Sequence, residues 1–180
     1  MSPSSWQNST SQFLEQWTQR QNRQPRIAIL GIGNTLRSDD AAGVLAVRRL
    51  TESGLFLDLD SVLVLEAGHA PENCTAVLRR FAPDIVLLID AADMGEAPGA
   101  IHWIDMDEID GISATTHTLP LSMLAEYLSL ELNCEVSLLG IQPGSVEVGE
   151  RVCAEMLHSV REIVDEISTI IMATGCRCPD

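Results

Sequence analysis

The stretch AILGIGNTLRSDDAAGV, residues 28–44, enters as an apolar strand, turns at Gly31-x-Gly33 and then sets two carboxylates, Asp39 and Asp40, side by side. Asp90 follows the apolar run DIVLLI, and His117 stands in SATTHTLP just ahead of Leu119 and Pro120. Carboxylates with an imidazole form a ligand set for a borderline divalent metal such as nickel, zinc or iron. Three protein ligands leave positions open for a substrate or a water. Two crowded carboxylates raise the pKa of one of them, which suits a general base.

A glycine turn after a strand also begins a dinucleotide site, and here that reading fails. Its fingerprint needs Gly-x-Gly-x-x-Gly, but Leu36 occupies the third glycine position. Two acids at the start of the following helix would also repel a pyrophosphate. Neither Gly-x-Ser-x-Gly nor His-Glu-x-x-His occurs, and no cysteine is placed beside a base as a nucleophile. Plainer roles stay open for each residue. Asp39 or Asp40 is a candidate helix cap, Asp39 the better of the two. Asp90 is a candidate for tying down a loop through backbone N–H groups, although a charge at the end of an apolar strand needs a partner. Gly31, Gly33 and Gly68 (in EAGHAPEN) suit tight turns. His117 alone reads as a hydrogen-bonded loop histidine, His69 as a surface residue, and His102 and His158 as structural residues within elements.

The elements that must position these groups alternate. Strands are expected at Arg26–Ile32, Ser61–Leu65, Asp84–Ile89, Ala100–Ile104 and Glu135–Ile141, the fourth near an edge because it mixes His102 with apolar residues. Helices are expected at Asp40–Ser53, Glu72–Phe81, Leu119–Leu130 and Arg151–Ile171. In the last, apolar residues at 152, 156, 160, 163, 167 and 170 step by three and four, as an amphipathic helix requires. Alternating strands and helices with continuously apolar strands mean an α/β fold, a mainly parallel sheet covered on both faces. In such sheets ligands bind beyond the C-terminal strand ends, which is where Asp39, Asp40, Asp90 and His117 fall. Residues 1–25 are a polar extension with a single helical turn suggested by Phe13 and Trp17, residues 26–172 one domain, and residues 173–180 a tail carrying Cys176 and Cys178. That pair alone cannot fill a tetrahedral metal site.

Composition excludes several classes. The formal charge is −15 over 180 residues, and all 11 cations are arginine. A chain without lysine has no Walker lysine and no Schiff-base lysine, and so acidic a chain is a poor partner for nucleic acid. No apolar run reaches the ~18–20 residues of a membrane helix. The start of the chain lacks a signal-peptide apolar region, and five cysteines without framework spacing fit reduced thiols. A cytoplasmic monomer is expected.

Five blocks together, GIGNTLRSDDAAG, GHAPEN, LLIDAADMG, ATTHTLPL and LLGIQP, resemble the endopeptidases that mature nickel–iron hydrogenases. The resemblance runs from about residue 26 to 143, and ATTHTLPL and LLGIQP are most similar to the branch serving the formate-hydrogenlyase type, hydrogenase 3. It implies a three-layer αβα sandwich around a twisted, mainly parallel sheet of five or six strands, phosphorylase/hydrolase-like in type. It implies a peptidase of the aspartic grouping that cuts the C-terminal peptide from the nickel-loaded precursor of the large subunit. By motif, the implied metal contacts are Asp40, Asp90 and His117. The metal is the precursor's nickel, and no cofactor is firmly held. On this reading Asp39 and Asp40 are the catalytic pair, Asp39 orienting the attacking water or taking its proton, and Gly31, Gly33, Asn34 and Gly68 form the substrate-positioning loop. Glu66-Ala67-Gly68 departs from the family's usual Asp-Gly-Gly turn after the second strand. A factor that checks nickel loading without cutting, or a chaperone for the large subunit, is the alternative.

Overall fold

The structure, a computed structural model, describes residues 5–105, 113–114 and 120–174. In chain order it runs α1 (Ser5–Gln21), β1 (Ile27–Ile32), a 3-10 turn (Ser38–Ala41), α2 (Ala42–Ser53), β2 (Val62–Gly68), a second 3-10 turn (Pro71–Cys74) and α3 (Thr75–Phe81). There follow β3 (Ile85–Asp93), β4 (Ile101–Asp105), β5 (Ser113–Ala114), α4 (Leu121–Leu132), β6 (Glu135–Ile141) and α5 (Ala154–Ala173).

The strands form one sheet in the order β2-β1-β3-β6-β4, with the short β5 pairing with the end of β3. The β1–β2, β1–β3 and β3–β6 pairings are parallel, and β4 runs antiparallel to β6 at the edge. Strand alternation divides the core in two. Ile27, Ile29, Ile85, Leu87 and Ile89 face α1, α2 and α5. Ala28, Leu30, Val86, Leu88 and Leu138 face α3 and α4. Every residue of β1 is buried, because this strand has a neighbour on either side and helices above and below. The expected αβα sandwich is therefore the fold.

Three details differ from the sequence reading. First, the polar N-terminal extension holds a 17-residue helix lying against β4 and α5. Trp6, Thr10, Leu14 and Trp17 are buried, and their spacing of four, four and three makes one narrow stripe. Phe13 meets Trp103 with ring centroids 5.1 Å apart. Arg20 pairs with Glu135 at 2.9 Å, and Arg23 pairs with Asp84 at 2.6 Å while its guanidinium lies 4.9 Å from the Trp17 ring. A stripe so narrow leaves the average composition polar, which hid the helix. Second, β3 runs on to Asp93, so Asp90 belongs to the strand, opposite Gly140 of β6, rather than to the loop after it. Third, both helices expected to start at acids begin instead as 3-10 turns.

Candidate active site at the C-terminal rim of the sheet

The glycine turn is built by close approach. A Cβ on Gly31 would stand 2.2 Å from the carbonyl oxygen of Gly43, and one on Gly43 would stand 2.0 Å from that of Ile89 and 2.4 Å from that of Ile32. The start of α2 therefore sits directly on the C-terminal ends of β1 and β3. Gly33 adopts φ +136°, and a Cβ there would overlap the Asp40 carbonyl oxygen. Gly68, at φ +61°, ends β2 and accepts a hydrogen bond from the Gly33 N–H at 3.0 Å. Gly31, Gly33 and Gly68 are thus all required by backbone geometry. Gly43, which sequence reasoning passed over, is as tightly constrained.

This packing carries the two acids to the rim. Asp40 precedes Gly43 by three residues, its turn packs on β3, and Asp90 directly follows Ile89. Both carboxylates are fully buried. The Asn34 N–H donates to Asp40 Oδ2 at 3.0 Å and to its carbonyl oxygen at 3.1 Å. The Asn34 side chain in turn accepts from the Leu36 N–H at 3.0 Å, so Asn34 shapes the loop that holds Asp40. The Ala91 N–H donates to Asp90 Oδ1 at 2.8 Å. By alternation Asp90 shares the face of Val86 and Leu88, the face α4 covers. His117 lies outside the described residues, four positions before α4 begins. Among the described residues no three His, Cys, Asp or Glu side chains gather as a metal cluster.

Asp39 caps no helix, and both of its carboxylate oxygens are engaged. Its Oδ2 accepts from the N–H groups of Gly144 at 2.8 Å and Ser145 at 3.2 Å, and its Oδ1 accepts from the Cys153 N–H at 2.8 Å. A fully buried carboxylate engaged by three backbone donors holds a loop in place. Its own N–H donates to Ser145 O at 3.1 Å. Neighbouring bonds extend the seam: Arg37 Nε to Val146 O at 3.1 Å, Ser38 Oγ to Arg151 O at 2.9 Å and the Gly149 N–H to Leu36 O at 3.0 Å. The loop between residues 142 and 153 is thereby fastened to the loop that carries Asp40.

Gln142 was also missed. Its buried side chain accepts from the N–H groups of Met94 at 2.7 Å and Glu96 at 3.2 Å and donates to Asp93 Oδ1 at 3.2 Å. It fixes the chain just past Asp90. The signal that picked out Asp90, a polar residue ending a buried strand, was present in LLGIQP. Cys153 caps α5 by accepting from the Met156 N–H at 3.3 Å. Burial pushes its thiol pKa up, and nearby Asp39 adds to this despite the opposing Met156 hydrogen bond. His69 is exposed, as are His102 on β4 and His158 on α5. At Glu66 the Arg48 guanidinium donates two hydrogen bonds of 2.7–2.8 Å. These hold the carboxyl below the usual range against burial.

Comparison with known proteins bears on family and fold. The family model described as hydrogenase maturation protease, HycI, matches residues 44–174. The hydrogenase 3 maturation protease of Escherichia coli K12 is 39% identical over 119 residues, 66% of this chain and 73% of that protein. The crystal structure of a NiFe hydrogenase maturation protease HycI from Thermococcus kodakarensis KOD1 superposes with a TM-score of 0.72 at 33% identity, covering 82% of this chain and 92% of the other. The solution structure of an endopeptidase HycI from Escherichia coli gives 0.70 at 31% identity, over 79% and 89% of the two chains.

Proposed function

Because this chain belongs to the hydrogenase maturation protease family and is a peptidase, we propose that it removes the C-terminal peptide from the nickel-loaded precursor of a nickel–iron hydrogenase large subunit of the hydrogenase 3 type. The observation that supports this most is the pair of buried acids, Asp40 and Asp90, at the rim where β1 and β3 end under α2. Asp40, Asp90 and His117 contact the nickel that the precursor brings, and the peptidase keeps no metal of its own. Precursor without nickel lacks that contact and is rejected.

The metal would supply Lewis acidity, lowering the pKa of a bound water towards neutrality in favourable sites. Hydrolysis adds that water's oxygen to the scissile carbonyl carbon, breaks the C–N bond and delivers a proton to the leaving amine. Asp40 orients the water, and Asp39, with both oxygens engaged, serves by keeping the rim rigid. This is the sense in which the aspartic grouping applies. Exposed acids and a net charge of −15 suit a lone, cytoplasmic chain, and the described cysteines, 74, 134 and 153, are free.

The experiment is incubation of precursor with and without nickel, followed by weighing of the large subunit. Loss of a C-terminal peptide only with nickel is the expected result. Asp40→Asn, Asp90→Asn and His117→Ala each abolish trimming while circular dichroism shows an intact fold. Near-normal cleavage by all three variants overturns the assignment. Tight nickel-dependent binding without loss of mass would make the chain a checkpoint or chaperone instead.

A further inference from the structure

The free edge of the sheet at β2 is a second place where chain chemistry and geometry converge. Among the described residues β2 pairs only with β1, and five residues of VLVLEAG are half-buried, against none in β1. Ser61 turns its carbonyl oxygen inward, accepting from the Ile27 N–H at 2.8 Å. By alternation the N–H and C=O groups of Val64 and Glu66 then point outward, while the Val62 N–H is taken by the Leu59 carbonyl oxygen at 3.1 Å. Natural edges are blunted by lysine, proline or bulges; the VLVL segment of this one has none of these and reads as a template for another strand.

A groove runs beside it, between β2 and α2. A hollow of about 190 Å³ lined by Leu50, Phe56, Leu57, Val62 and Val64 meets a second of about 280 Å³ lined by Arg48, Glu52 and Glu66, and Thr51 lines both. Leu57 at the mouth of the first is 78% exposed. β2 itself ends at Gly68, whose carbonyl oxygen accepts from the Gly33 N–H, so this edge leads to the rim where cleavage is proposed.

We propose that the segment C-terminal to the scissile bond binds as an added antiparallel strand on the free edge of β2, with an apolar side chain in the Leu50–Phe56–Leu57 hollow. This rests on the peptidase reading above and names how that substrate is held. The direction follows from chain polarity. The bond to be cut lies at the rim and the tail leads away from it, whereas β2 runs towards it. The regular part of β2, Val62–Glu66 before its register shift, at ~3.3 Å each gives about 16 Å of edge, room for a tail of about five residues. Backbone pairing supplies affinity and alternate side chains supply selectivity. Glu52 and Glu66 line the groove beside Arg48, and Asp58 and Asp60 follow Leu57 in the chain, so the segment that fits is apolar with basic residues. A second copy of this chain would bring the same acids to the same edge, which disfavours it as the occupant.

The test uses the full chain and nickel-loaded precursor. The peptide that the wild-type chain releases is identified by mass, synthesised with a fluorophore and titrated against wild type, Val64→Pro and Leu57→Asp. Val64→Pro deletes an outward N–H, a change edges tolerate; Leu57→Asp changes only an exposed side chain. Both are expected to raise KM for the precursor and Kd for the peptide tenfold or more, with the loss falling on KM rather than kcat. The Val64 amide gains protection from hydrogen exchange when peptide is added. Unchanged KM in both variants, with wild type cutting normally, overturns the edge assignment and leaves the peptidase reading standing. So does a wild-type dimer that Val64→Pro dissociates, since the edge then belongs to a second copy. If the wild-type chain releases no peptide, the peptidase reading fails and this one goes with it.

Discussion

Replacing Asp39 with asparagine separates a structural clamp from a chemical base. The wild-type carboxylate is fully buried and accepts three backbone bonds, two on Oδ2 and one on Oδ1. Asparagine keeps one acceptor oxygen. Turned to serve Gly144 and Ser145, it opposes its amide N–H₂ to the Cys153 N–H across a 2.8 Å gap. A hydrogen bond to a charged acceptor is worth about 1.5–3 kcal/mol and an orphaned buried donor costs about 1–3 kcal/mol. These are partly one loss counted twice, so the expected destabilisation is about 2–4 kcal/mol. In a chain of this size each kcal/mol moves Tm by about 2–4 °C, giving a fall of about 4–16 °C. Calorimetry reads that shift, and precursor processing well below the variant's Tm reads the chemistry. Substantial trimming with an unchanged pH profile is expected there. A Tm within about 1 °C of wild type together with lost activity would refute the clamp and return Asp39 to the role of base.

Two further outcomes probe the frame. At Asp84, burial works to raise the carboxyl pKa, but hydrogen bonds from Arg23 and the Arg26 N–H, with both guanidinium charges, outweigh it and hold the group below its usual value. Its stabilisation is therefore full above the unfolded carboxyl pKa of about 3.9 and disappears as pH falls through the lower folded value. Asp84→Asn should cost about 1–3 kcal/mol at neutral pH, towards the low end because Arg23 is half exposed, and urea midpoints for variant and wild type should converge below about pH 4; parallel curves down to pH 2 would show that the carboxylate contributes nothing. Trp17→Ala should lower stability by about 3–5 kcal/mol in urea unfolding, since Trp17 is only 4% exposed between α1 and the sheet; an unchanged midpoint would mean that α1 does not contribute to the folded core.

Much was legible in the linear chain because it depends on neighbours in sequence. Continuous apolar runs at Ile27–Ile32 and Ile85–Ile89 must be strands covered on two faces, and β6 matched its expected bounds to the residue. The glycine turn follows from the same local patterns, whereas the run of β3 on past Asp90 to Asp93 does not. Asp39 shows where that reasoning stops. Its partners stand 105 to 114 positions away, and the same carboxylate is cap, base or clamp according to which N–H groups reach it. Only the parallel pairing of β3 with β6 brings the 142–153 loop across to the Asp39 turn. Gly43 and the stripe of Trp6, Leu14 and Trp17 went unread for a related reason. A missing Cβ and a few buried side chains acquire meaning from the surface they press against, and that surface comes from distant parts of the chain.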